Sequence, residues 1–285
     1  MTIWRWVIWG GAALVLGALG FVGWVYAASE AHLRSFTAPA PFAAPIPTDA
    51  AAIAYGERLT YNRGCRGCHG EQLEGELMGG MAAAPNLAAY ARAQTPATIE
   101  AAVRHGIGHD GRALYSMPSY NFVHLSDDDL AAIIAYLRQA PVAQGPRLLP
   151  SSLPFAIRLE IARGNDGAIA KYLHLVPPLS QQTNPNRSIA RGEYLAMTSC
   201  NECHGFGLRA DSPFPSNAPD LIVVGAYSEA QFTRLMREGV PSSGTELEMM
   251  GPVARGRFTH WTDEEVTDLY AFLSDMSRRA AEAEN

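Results

Sequence analysis

The chain has 285 residues, 48% of them hydrophobic, with 22 lysines and arginines against 28 aspartates and glutamates, for a formal charge of −6. That length and apolar content suffice for two small cores plus linkers. The acidic balance gives no reason to expect a nucleic-acid partner.

Trp6 to Ala28 carry no charge, a run long enough to cross the ~30 Å hydrocarbon layer as a helix. Trp4, Trp6 and Trp9 mark one end and Trp24 and Tyr26 the other, as interfacial aromatic belts do. Arg5 and the amino terminus are the only positive charges ahead of the run, which places the N-terminus in the cytoplasm. A cleaved signal peptide is the rival reading, because Tyr26-Ala27-Ala28-Ser29 offers small residues. A signal's apolar stretch is usually only ~7–15 residues, however. Residues 1–28 therefore read as an uncleaved, single-pass anchor that meets the lipid bilayer through residues 6–28. Residues 29–50 hold Pro39, Pro41, Pro45 and Pro47 among alanines and read as an extended tether.

Next comes Cys65-Arg66-Gly67-Cys68-His69, matched far downstream by Cys200-Asn201-Glu202-Cys203-His204. The two runs use all 4 cysteines, and both read Cys-x-x-Cys-His, the attachment signature of a c-type haem. Positions i, i+3 and i+4 share one face of a helical turn. Two thiols can thus bond to the porphyrin edge while the imidazole reaches the iron. A thioredoxin-type dithiol needs no trailing histidine, and no strand–turn–helix pattern surrounds either motif. A zinc site would have to draw its four ligands from both motifs together, and would leave the repeat described next unexplained.

The chain after the tether is one pattern written twice. Gly56-Glu57-Arg58-Leu59 answers to Gly192-Glu193-Tyr194-Leu195, Ala84-Pro85-Asn86-Leu87 to Ala218-Pro219-Asp220-Leu221, and Phe122-Val123-His124 to Phe258-Thr259-His260. Each copy closes on a helix. Ser126 caps the first, and Thr262 with Glu265 forms a capping box on the second. Leu130, Ile133, Ile134 and Leu137, like Val266, Leu269, Tyr270 and Leu273, then fall at i, i+3, i+4, i+7, so each helix buries one stripe. No alternating stretch of strand length stands out, and the fold class reads as mainly α. Residues 141–188 match neither copy. They are rich in proline and read as a connector in which Phe155–Leu175 holds a helix packed across the two units.

Each copy resembles a class I cytochrome c domain: an opening helix with Gly-x-x-Leu, the haem motif, a Pro-x-Leu segment, a methionine near the end and a terminal helix. The resemblance covers residues 51–140 and 189–278, leaving 279–285 as a tail. It implies an N-terminal transmembrane helix followed by two tandem domains, with two covalently bound haem c groups on Cys65, Cys68, Cys200 and Cys203. It also implies His69 and His204 as iron ligands, oriented by the carbonyls of Pro85 and Pro219. In this family the opening helix meets the closing one at a glycine packed on an aromatic ring; the matching pairs are Gly56 with Tyr136 and Gly192 with Phe272.

The sixth iron ligand separates electron carriers from enzymes, since an open position binds small molecules. Met117, just before Pro118, matches the family's axial Met-Pro. Met78 and Met81 follow His69 too closely, and His105 and His109 are the fallback. In the second copy Met249 and Met250 are both at hand. The run Met250-Gly251-Pro252-Val253-Ala254-Arg255 resembles dihaem relatives in which that methionine binds iron, which selects Met250. His124 and His260 read as turn residues, and His32 and His174 as solvated.

The expected function is non-enzymatic: a dihaem cytochrome carrying electrons from a membrane dehydrogenase or quinol-oxidising complex to a higher-potential acceptor. It would sit in the bacterial inner membrane with its haem domains in the periplasm, as a tethered shuttle or as a subunit of a respiratory complex. Its partners would be a membrane oxidoreductase complex or terminal oxidase, and other cytochromes. The alternative is a dihaem cytochrome c peroxidase, which needs one iron with a displaceable sixth ligand.

Overall fold

The computed structural model describes residues 2–39, 42–78, 82–146, 153–165, 167–214 and 216–283. Helix α1 (Thr2–Leu33) is apolar, and its stretch Ile3–Leu33 is long enough to cross a membrane. The first domain runs through α2 (Ala50–Asn62), α3 (Cys65–His69), a hairpin of β1 (Glu76–Met78) and β2 (Ala82–Ala84), α4 (Leu87–Ala93), α5 (Pro96–His105) and α6 (Asp127–Gln139). Helix α7 (Phe155–Ala162) lies in the connector. The second domain contains α8 (Arg187–Met197), α9 (Asn201–His204), α10 (Glu229–Glu238), α11 (Met250–Gly256) and α12 (Asp263–Ala283).

The helix starts follow from their caps. Asp49 accepts from the Ala52 amide, and Ser126 from that of Asp129. Ser228 and Thr262 form capping boxes with Gln231 and Glu265. The hairpin was not visible in the sequence because three-residue strands are too short to show alternation.

Opening and closing helices cross in both domains, α2 on α6 and α8 on α12, at a glycine. A Cβ added to Gly56 would lie 2.0 Å from the carbonyl oxygen of Ala132, and one added to Gly192 would lie 2.0 Å from that of Asp268. Only glycine lets two helix backbones come so close. In the second domain Phe272 Cβ also borders the crossing, 2.6 Å from the added atom. In the first domain the atoms nearest that position are backbone of Ala132 and Ile133, and the Tyr136 hydroxyl donates to Glu57 Oε1 (3.1 Å), beside Gly56, and accepts from Arg66 Nη2 (2.9 Å).

The apolar helix does not end at residue 28 and give way to a free segment. Helix α1 continues to Leu33, which is buried with Ala113, Ile161 and Ala168. The Ala113 amide donates to the Leu33 carbonyl (2.8 Å), and Arg34 Nη1 donates to the Asp110 carbonyl (2.8 Å). Farther on, Phe42 and Ile46 pack on the first domain's core, so this proline-rich stretch lies along the domain. His32 is half-buried with Phe36 edge-on at 5.3 Å, not solvated.

The connector likewise forms no single helix. Helix α7 packs on α1, with buried Arg158 donating to Ser29 Oγ (2.9 Å) and lying over the Tyr26 ring. The chain breaks at Gly164, with φ +88°, and resumes as a 3-10 segment, Ile169–Leu175, beside the second core. At the far end α12 runs on through residues expected as a tail, to Ala283, supported by Arg278–Glu282 (2.6 Å) and Arg279–Asp275 (2.8 Å).

The two domains share a polar seam. Arg63, 2% exposed, donates to Ser199 Oγ (2.9 Å) and pairs with Asp129 (3.3 Å). Asp129 also accepts from Tyr55 (2.7 Å) and, across the seam, from Tyr194 (2.5 Å). Arg58 pairs with Glu265 (2.6 Å), and His260 stacks on Tyr61 at 4.0 Å. Tyr120 leaves the first domain to pack against Phe206 and Phe214. Asn201, inside the second motif, donates to the Tyr120 carbonyl (3.3 Å).

Candidate haem centres

The first motif forms the single turn α3, entered through Gly64 at φ +76° and left through Gly70 at φ +83°. His69 is 8% exposed, and its Nδ1 stands 2.8 Å from the Pro85 carbonyl. That contact uses Nδ1 as the donor and leaves the Nε2 lone pair available. Burial pulls the His69 imidazole below its usual pKa, opposed by the Pro85 carbonyl, so the ring is neutral and fit to ligate. His204 repeats this arrangement with Pro219 at 2.8 Å, and burial lowers it in the same way. Burial also raises the thiols, Cys65 to about 11 and Cys200 to about 12. Among the described residues no group of three or more His, Cys, Asp and Glu side chains is placed to hold a metal ion, so the motifs do not converge on a joint zinc site.

Cys65, Cys68, His69, Pro85 and Met117 all line one cavity of about 520 Å³. The rest of its wall is largely apolar, including Leu87, Ile99, Phe122 and Leu130, together with Tyr90 and Tyr115. Two attachment thiols, a free imidazole nitrogen and a thioether around an apolar slot fit a haem c. Met117 is held by the loop after α5. The Leu114 amide closes on the Gly106 carbonyl (2.6 Å), and Ser119 Oγ donates to the Ala102 carbonyl (2.7 Å).

In the second domain Met249 is 78% exposed, while Met250 begins α11 and packs against the core. The start of α11 is pressed onto the end of α10: a Cβ on Gly239, itself at φ +74°, would lie 2.2 Å from the Gly251 Cα. Of the other candidates, His105 is bonded to the buried Glu100 (2.7 Å), and His109 lines the first cavity with its ring edge-on to Tyr90. His124 bonds the Pro177 carbonyl (2.7 Å), and His174 is exposed. Met81 and the side chain of Met78 lie outside the described residues.

Two residues near the sites gave no local signal in the sequence. Glu202, inside the second motif, lines the first cavity, and Arg257 from the end of α11 pairs with it at 3.1 Å. Only the docking of the two domains brings them there.

Residues 51–137 match the family described as cytochrome c oxidase, cbb3-type, subunit III, and residues 189–277 match the family described as cytochrome c. Among curated proteins, the gluconate 2-dehydrogenase cytochrome c subunit of Pantoea cypripedii is 24% identical over 272 residues, covering 81% of this chain and 61% of that protein. The fructose dehydrogenase cytochrome subunit of Gluconobacter japonicus is 26% identical over 281 residues (86% and 56%). The cytochrome c subunit of the quinone-type alcohol dehydrogenase of Gluconobacter oxydans strain 621H is 26% identical over 203 residues (61% and 42%). The chain thus spans about half the length of the curated relatives it matches.

Proposed function

Two cytochrome c domains stand in tandem in this chain, each implying a covalently bound haem c, and from that premise we propose that the protein is a membrane-fixed electron-transfer subunit of a dehydrogenase complex. Bound haem c supplies one-electron iron chemistry. The residues do the rest. Cys65 and Cys68, and Cys200 and Cys203, would form the thioethers. His69 and His204 would ligate through Nε2, with Pro85 and Pro219 holding the rings, and Met117 and Met250 would take the opposite positions. Histidine–methionine ligation raises the potential, which suits transfer from a membrane donor to a higher-potential acceptor. With both positions filled, the peroxidase chemistry of the alternative reading has no open iron.

The observation that carries the fixed-subunit reading is the docking of the anchor. The Leu33–Ala113 and Arg34–Asp110 bonds hold the first domain to the end of α1, Arg158 of the connector clamps Ser29, and Phe42 and Ile46 lay the intervening stretch on the domain. A shuttle needs slack in its tether, and this chain has taken the slack up. The relatives named as cytochrome subunits of gluconate, fructose and alcohol dehydrogenases support the same assignment. The working location is the periplasmic face of the inner membrane.

The test is affinity purification of the full chain from its native membranes in mild detergent. A dehydrogenase subunit should co-purify in constant ratio, and adding that enzyme's substrate should reduce both haems. A cytochrome isolated alone at every detergent strength, with no substrate-driven reduction in membranes, would overturn the subunit reading. Peroxide-dependent turnover by the isolated protein would favour the peroxidase.

A further inference from the structure

The wall of the first haem site contains charge from the second domain. Glu202 lies between Cys200 and Cys203 yet lines the cavity of Cys65, Cys68 and His69. Its partner Arg257 crosses the seam to the turn carrying the first motif. A Cβ added to Gly64 would lie 2.3 Å from Arg257 Cζ, and one added to Gly67 would lie 3.5 Å from Nη2. Both side chains are largely withdrawn from water, at 19% and 24% exposed. Screening there is weak compared with the surface.

The pair's field reaches both motifs. Arg257 lies against the turn of the first motif at Gly64 and Gly67, and its partner Glu202 is itself part of the second motif. A fixed cation favours the iron state with one positive charge fewer, which is the reduced one. A fixed anion favours the oxidised state.

We propose that Arg257 and Glu202 of the second domain complete the first haem site and set the reduction potential of the first haem across the seam. They are positioning charges, not ligands, and they make the first haem's potential depend on the docking of the other domain. The proposal rests on the ligand assignment above, so its test separates the two.

The full chain carrying both haems is titrated in detergent by spectroelectrochemistry. Met117→His marks the first haem's wave by lowering it alone. Arg257→Gln should then lower that wave and Glu202→Gln should raise it, while Arg257→Lys keeps it near the wild-type position. Opposite signs are diagnostic, because simple loosening of the seam admits water and moves the wave the same way in both variants. If the first wave stays in place in both, or moves in the same direction in both, the proposal is overturned. If Met117→His moves no wave, the ligand assignment falls instead, and the pair is judged on whether either wave answers the two substitutions with opposite signs. Haem content and thermal midpoint of each variant show whether the fold is kept, and Glu202→Gln carries the test should Arg257→Gln lose haem.

Discussion

The two domains carry one skeleton in unequal surroundings. Both hold a crossing glycine, a haem motif and a proline carbonyl 2.8 Å from the ligand imidazole. Around the first motif other parts of the chain close in: the end of the anchor on the loop before Met117, and Glu202 and Arg257 from the second domain. His69 is buried, whereas around the second motif Cys203 is exposed and His204 only half-buried. A duplicated fold therefore does not mean duplicated electrostatics. What surrounds each copy distinguishes two sites built from nearly the same local sequence.

The largest effects are expected at the ligand positions. Met117→Ala should remove the far-red sulfur–iron band of one haem and lower its potential, and Met250→Ala should do the same to the other. Met249→Ala should leave both spectra as they are; loss of the band in that variant would exchange the roles of the two neighbours. Next in size is Asp129→Asn, which leaves buried Arg63 without its carboxylate. Losing one partner of a buried pair costs about 3–5 kcal/mol, read as a lower urea midpoint and separation of the domains' unfolding transitions. An unchanged midpoint would show that the seam does not depend on this pair.

Gly56→Ala and Gly192→Ala probe the element the domains share. Each forces a methyl within 2.0 Å of a carbonyl oxygen, so each should cost about 3 kcal/mol by overpacking and reduce haem retention in its own domain. If one is tolerated, that domain's helices are free to slide. The smallest effect belongs to Arg58→Met. Its pair with Glu265 also bridges the domains, with both side chains largely withdrawn from water, and because Glu265 keeps its bond to the Thr262 amide the loss should cost about 1–2 kcal/mol. A larger drop in thermal midpoint would place Arg58 with the buried network.

Much of this was legible in the chain. The cysteine–histidine runs, the capping residues Ser126 and Thr262, and the i, i+3, i+4, i+7 stripes are short-range signals, and each reports geometry within a few residues. The hairpin at 76–84 escaped because it is too short to show a period, and the end of α1 escaped because prolines farther on suggested an extended path. Arg257 could not have been found at all, since its partners belong to other segments and nothing beside it in the chain marks them.

By itself the sequence determined that two haem-attachment turns sit in two copies of one helical fold behind an apolar helix, because covalent spacing and helix periodicity are local. The tertiary structure decided what the end of the apolar helix packs against, which of two adjacent methionines faces the core, and whose charges border each site. Those depend on contacts between residues far apart in the chain, such as Ala113 with Leu33, Met250 with the second core and Arg257 with Glu202, which no local pattern marks.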